Sequence, residues 1–417
     1  MRENTLNGLV KRIQLYIFML LILLQVNFFH LPFLPEGLIS LNSDINKQLV
    51  LLVIISSFII FILSYSLLPS YKLKKSFTAS IVVFVGSLIV LTISTTVSYK
   101  IPLFQSFKNS YYYWIILYFF PGVFVFKNSF STVIRFIKVT AFIDIIVLLA
   151  QDALYFYFGK MFLSLDEFSL NMLSLNNRFV VDGDFLLLVA FITLIVAVKD
   201  KHQLSKFDII YLFLFAIHQI FFSRGRVALL IFVAMLAGFF LHYIVKLPTV
   251  IRYILIMFYF IGGIVLLYKL LISLSFFSGE RAISGQVRLY EIQYYLGYAK
   301  LHGLWGLGFT NDQALLHGGV GQIWGGKYSF TDVGVIGYIG IFGWLGVPFL
   351  IAYLIQLVKL WIKPFSMGVV IITFAYFIGQ WATLFPLNIP RIFSFSVASA
   401  IMVVLSNQTN LTATGID

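Results

Sequence analysis

The chain reads as an all-α polytopic membrane protein with about twelve transmembrane helices, each long enough to cross ~30 Å of hydrocarbon. Three observations carry that reading. Of its 417 residues, 60% are hydrophobic and 11% charged, with a mean hydropathy of +0.98; soluble domains carry about 25% charged residues. Apolar runs of span length recur from end to end. Nowhere is there the ~10-residue apolar–polar alternation of a membrane barrel strand. The gaps between runs leave no room for a separate soluble domain, so 1–417 is expected to be a single integral membrane domain.

The opening "MRENTLNGLVKR" is basic and leads into an apolar run, 13–31, without a small-residue cleavage site, so it reads as an uncleaved first span. Further spans are expected at 49–68, 77–97, 111–126, 133–155, 185–198, 207–222, 227–245, 253–271, 333–358, 368–385 and 392–405.

Loop charge sets the expected orientation. Lys72, Lys74, Lys75, Lys127, Arg135, Lys138, Lys199, Lys201, Lys206, Lys359 and Lys363 fall on one side together with both termini, and the positive-inside rule makes that side cytoplasmic. This accounts for the net charge of +13 without nucleic acid. Arg178, Arg224, Arg226, Arg281, Arg288 and Arg391 fall on the other side, where topology does not reward cations. Arginine presents a planar fork matched to phosphate and carboxylate oxygens, so an outward set of them suits a phosphorylated, membrane-bound anion. The plainer account of any single one is snorkelling to headgroups or pairing with a neighbouring acid. With no cysteine, disulfides, haem thioethers and thiolate metal sites are excluded.

The longest hydrophilic segment, 273–332, is expected to be a large extracytoplasmic loop between spans nine and ten; loops of this length are usually functional. Its "GQVRLYEIQYYLGYAKLHG" has helical spacing, with Leu289, Ile292, Leu296 and Ala299 as an apolar stripe for a short helix lying at the membrane interface. Arg288 and Glu291 share another face, where Glu291 either positions the guanidinium for a ligand or forms a bare salt bridge. Trp305 and Trp324 are suited to stacking on sugar faces or to anchoring at the interface. "GQIWGGK" fits a phosphate-loop pattern, but Tyr328 replaces the required Ser or Thr and no strand precedes it. His302, His317 and Asp312 match no zinc spacing, so no metal and no cofactor is expected. His317, flanked by glycine, suits proton transfer or bonds only to backbone; Asp332 is the rival base or an orienter. Asp144 is expected to face the bundle interior, with Lys138 too far along the helix to pair with it. His218 and His242 read as satisfied interior or interface residues rather than catalysts, and the sequons at Asn407 and Asn410 as chance.

"SRGR" at the start of an outer helix, followed late in the chain by "R…HGLWGLGF…H…DVGVIGYIGIFGWLG", resembles the O-antigen polymerase (Wzy-type) and O-antigen ligase superfamily. The resemblance spans Arg178 to about Leu357. Two departures stand out. His302 is followed by Gly303 where the family has proline, and Asp332-Val333-Gly334 replaces its Glu-Gly pair.

The resemblance implies a GT-C-like helical bundle in the bacterial inner membrane. It implies a metal-independent glycosyltransferase on the outer face, which polymerises undecaprenyl diphosphate-linked oligosaccharide repeat units. It maps Ser223-Arg224 onto the family's serine–arginine motif, with Arg226 a near neighbour, Arg288 onto its loop-helix arginine, His317 onto its loop histidine and Arg178, in "NNRFVVDGD", onto its earlier outer arginine. Catalytic roles are thereby expected for His317, Arg288 and Arg224. Substrate contacts are expected for Arg178, Arg226, Glu291, Asp332, Trp305 and Trp324, and the pathway's flippase and chain-length regulator are the expected protein partners. A ligase that moves finished polymer onto lipid A-core is the alternative within the superfamily; a flippase or transporter is the alternative outside it, disfavoured by the absence of matching halves.

Overall fold

The structure, a computed structural model, describes residues 2–35, 44–65, 78–165, 170, 173, 179, 181–199, 204–223, 225–248, 251, 280–316, 328–362, 367–381, 385, 387–388 and 391–413. Among them there is no strand. The helices are α1 (Arg2–Gln25), α2 (Asp44–Tyr65), α3 (Thr78–Tyr99), α4 (Leu103–Ser110), α5 (Phe119–Phe158), α6 (Gly183–Lys199), α7 (Lys206–Ile217), α8 (Arg226–Ile244), α9 (Glu280–Leu301), α10 (Gly334–Phe342), α11 (Val347–Ile362), α12 (Met367–Gly379) and α13 (Ile392–Ala413). Six stretches are long and apolar enough to cross a membrane: Gly8–Gln25, Ile45–Ser64, Thr78–Tyr99, Lys206–Ser223, Arg226–Ile244 and Phe330–Lys359. This is a helical membrane protein. The ninth expected span, 253–271, lies outside the described residues.

Two expected spans, 111–126 and 133–155, run into one another. A 3-10 segment, Tyr111–Tyr118, leads into the 40-residue α5, whose one non-helical residue, Ser129 (φ −142°), divides it near the expected boundary. The tenth span is also broken, into Phe330–Val333, α10, a 3-10 turn at Gly343–Gly346 and α11.

The backbone groups into two compact units. Unit 1 comprises 1–81, 111–229 and 386–417. At its centre lie α6 and α13, which are buried on nearly every face, as a helix that is apolar all round must be. Small residues let α13 approach closely: a Cβ placed on Gly122 of α5 would come 3.3 Å from Ala400 Cβ.

Unit 2 comprises 82–110 and 230–385. Here α9 lies on α10, with Tyr295 against Gly340, where a Cβ would be only 2.7 Å from Tyr295 Cβ. The buried line of α9 is Glu291, Tyr295 and Ala299, whereas Leu289, from the expected apolar stripe, is 60% exposed. Of the expected stripe, Ala299 is buried and Ile292 and Leu296 are half-buried, while the face packed on protein also carries a carboxylate and a tyrosine that hydropathy discounts.

The break at Gly343 has a clear partner. Leu307 and Gly308 N–H groups donate to Gly340 and Ile341 carbonyls, each at 2.9 Å, and the Leu345 N–H returns to the Leu304 carbonyl at 3.1 Å. Groups freed by the helix break are thus satisfied by an irregular loop, the condition on which non-helical backbone is tolerated at membrane depth. Gly306 and Gly343 make this approach possible. Both have positive φ, and a Cβ on Gly306 would meet Gly343 N at 2.5 Å.

Candidate functional site

Unit 1 places its helix ends in two groups. At one end α1 finishes not in a cap but in four consecutive left-handed residues, Asn27 (φ 46°), Phe28 (49°), Phe29 (59°) and His30 (53°). Asp182, which leads into α6, is left-handed as well (φ 48°). Each such non-glycine residue costs about 1–2 kcal/mol, so a run of them persists only where the surroundings impose it. What imposes it here is a buried cluster. His30 Nε2 and Asp182 Oδ2 are 2.7 Å apart, Asn27 Nδ2 donates to Asp182 Oδ1 at 3.3 Å, and Asn46 Nδ2 donates to Asn27 Oδ1 at 3.4 Å. The fully buried Asp144 lies within electrostatic reach of Asp182, and neither of its oxygens has a hydrogen-bond partner among the described residues. It faces the interior, as expected.

The same end gathers further polar groups. Arg391, just before α13, donates from Nε to Asp184 Oδ1 at 2.8 Å. Asp152 near the end of α5 meets His218 Nδ1 at 3.1 Å, both fully buried in their side chains. His218 opens a π-helical turn, His218–Ser223, a form of helix frequent at functional sites. The turn carries the chain to Gly225, where a Cβ would meet Gln219 Oε1 at 2.6 Å, and so to Arg226 at the first turn of α8. The Phe179 N–H donates to the Phe222 carbonyl at 3.2 Å, which ties Phe179 to this turn. An arginine at a helix N-terminus, beside backbone N–H groups, suits an anion.

In unit 2, α9 holds Glu291 where its Oε1 accepts from the Ser329 N–H at 2.9 Å. Burial pushes the Glu291 carboxyl up to about 7; the Ser329 N–H opposes the rise, the nearby Asp332 carboxylate adds to it, and the Arg288 guanidinium opposes it least. Arg288 makes no ion pair with Glu291 among the described residues, so the salt bridge that spacing left open is not formed. One turn on, burial above all raises the Tyr295 hydroxyl, which donates to the Leu316 carbonyl at 2.8 Å.

Of the residues singled out from sequence, Arg288, Glu291 and Asp332 come together in unit 2, and Trp305, 37% exposed, lies on the loop that follows α9. Arg226 stands in unit 1. Arg178, Arg224, His317 and Trp324 lie outside the described residues. Lys138 pairs with Asp208 at 2.7 Å rather than with Asp144; His218 and His242 are interior, as expected, but the Nε2 of each has no hydrogen-bond partner among the described residues. His30, Asp152, Asp182 and Asp184 were not anticipated. The one sequence signal for them was their place near helix ends, as with Arg226 and Arg391. Against family models and curated proteins alike, the chain finds no match.

Proposed function

We propose that the protein is a metal-independent membrane glycosyltransferase that polymerises undecaprenyl diphosphate-linked oligosaccharide repeat units on the outer face of a bacterial inner membrane. The observation that carries this reading is the polar end of unit 1. Arg226 heads a helix beside a π-helical turn, and the strained His30–Asp182 cluster and the Arg391–Asp184 pair share that end. A lipid-linked donor presents its diphosphate at such a boundary.

In the reaction, the bond between the anomeric carbon and the diphosphate oxygen breaks, and the diphosphate leaves with the electron pair. Arginine forks preorganised in a partly dehydrated site stabilise that charge more in the transition state than in the ground state. Arg224, Arg288 and Arg178 take this role, with Arg226 a near neighbour of Arg224 in the chain. The acceptor hydroxyl attacks the same carbon and passes its proton to a base, His317 or Asp332; a positioned base contributes about 10²–10⁴-fold. Glu291, with its carboxyl near 7, is a further group of suitable strength. The activated donor supplies the driving force, and no nucleotide site is required.

The test is polymer formation from lipid-linked repeat units by purified, reconstituted protein. Arg224→Lys keeps the charge and loses the fork, and is expected to lower polymer formation at least tenfold at unchanged protein abundance. Full activity in that variant removes Arg224 from the site. Normal chain length in His317→Ala dismisses that residue as the base.

A further inference from the structure

In unit 2, a cavity of about 160 Å³ lies between the end of α3 and the loop after α9, lined by Ser94, Thr95, Ser98, Tyr99, and the His302–Gly308 loop through His302, Trp305 and its glycines. It is small beside the ~300–1,000 Å³ of drug-sized sites, and suits a single ring.

Its chemistry is specific. Ser94 and Thr95 hydroxyls are committed to the Leu91 carbonyl, at 3.1 and 2.7 Å, and Thr95 Oγ1 also accepts from the Phe309 N–H at 3.0 Å. The side chains of Ser98, His302 and Trp305 and the Tyr99 hydroxyl, by contrast, have no hydrogen-bond partner among the described residues, so their donors and acceptors remain for a ligand. The His302 ring is set in place by stacking on Tyr298, centroids 5.3 Å apart and planes 7° from parallel. One wall is bare backbone: a Cβ on Gly308 would meet Thr95 Oγ1 at 2.5 Å. Among the described residues no carboxylate, lysine or arginine lines the cavity; Asp312 acts on Tyr99 electrostatically from outside its lining. An exposed indole, several free hydroxyl and ring-nitrogen groups and no formal charge together match an uncharged pyranose, whose C–H face packs on an aromatic ring while its hydroxyls exchange hydrogen bonds at the rim.

We infer that this cavity is a subsite for one neutral sugar ring of the saccharide substrate. The inference rests on the proposed glycosyl transfer for the source of the sugar, and on the cavity alone for its chemical class. Phosphate-bearing groups belong elsewhere, with the arginines.

The experiment uses full-length protein in lipid nanodiscs prepared without glycoside detergents. The probes are methyl glycosides of glucose, galactose, mannose, rhamnose, N-acetylglucosamine and N-acetylgalactosamine, and saturation-transfer NMR reads contact with their ring protons. At least one glycoside is expected to give transfer that drops about fivefold or more in Trp305→Ala, drops in Tyr99→Phe, and stays within about twofold in Trp305→Phe. Cyclohexylmethanol, a ring without the hydroxyl pattern, is expected to give none. Equal transfer in wild type and Trp305→Ala, or silence across the panel, overturns the subsite. A silent panel in a protein that still polymerises removes the subsite alone; binding that persists while Arg224→Lys polymerises normally removes the diphosphate reading and leaves the subsite standing.

Discussion

The two ends of unit 1 use charge differently. At one end, Lys138 meets Asp208 at 2.7 Å, Ser205 and Asp208 form a capping box for α7, and Lys199 at the last turn of α6 donates to the Leu405 carbonyl at 2.8 Å. Each contact closes a helix end or complements its dipole. At the other end the acids meet histidine and arginine, the backbone adopts left-handed conformations and one helix passes through a π turn. Lysine fixes how a segment sits in a membrane, and little more is asked of it there. The histidine–arginine end maintains strain and buried polar groups that stability alone does not favour, which is why it is the candidate site.

That contrast can be broken most severely at Asp182. Asp182→Ala leaves His30 and Asn27 buried without their acceptor and is expected to cost about 3–5 kcal/mol, read as a large fall in the thermal midpoint of the reconstituted protein. Asp182→Asn keeps an acceptor and is expected to cost less, about 1–3 kcal/mol. A loss no larger than that of a surface substitution would show that the cluster imposes nothing on the backbone.

Next in size is Gly306→Ala in unit 2. The left-handed backbone alone costs about 1–2 kcal/mol, and the new Cβ presses on Gly343 N. Lower midpoint and reduced polymer formation are expected together.

Glu291 gives a smaller effect, read through pH. Its carboxyl is held near 7 in the folded protein against an ordinary 4.5, so between those values the folded state keeps a proton that the unfolded state has lost. The sign follows: this group's contribution to stability is full below about 4.5, falls as pH rises, and is gone above about 7. The midpoint is expected to decline by a few degrees across that window in the wild type, and Glu291→Gln is expected to flatten the decline. An unchanged slope in the variant would assign the titration to another group.

The smallest effect is expected from Lys138→Met. The pair is largely sheltered, but Asp208 keeps the Ser205 N–H and hydroxyl as donors, so the loss is expected to be about 0.5–1.5 kcal/mol with polymer formation near wild type.

What was legible in the sequence follows the same physics. Spans such as Thr78–Tyr99 and Arg226–Ile244 are announced by length and composition, because lipid demands about 20 apolar residues whatever the neighbours. The break at Gly343 was not legible, since it depends on a loop almost 40 residues earlier to satisfy the freed carbonyls. The protein-packed face of α9 was not legible because apolar side chains face lipid as readily as protein, so hydrophobicity stops marking the interior; Leu289 is exposed while Glu291 is buried. His30 and Asp182 stand 152 residues apart and carry no periodic signal, so only the fold joins them.

The central claim is that the arginine-bearing end of unit 1 grips a lipid diphosphate. Its most direct test is binding of undecaprenyl diphosphate, without sugar, to reconstituted wild-type, Arg226→Lys and Lys138→Met proteins. Losing a fork to phosphate removes about 1.5–3 kcal/mol, so Arg226→Lys is predicted to bind roughly tenfold or more weakly while Lys138→Met binds like wild type. Equal affinity in all three, or equal weakening in both variants, would contradict the account.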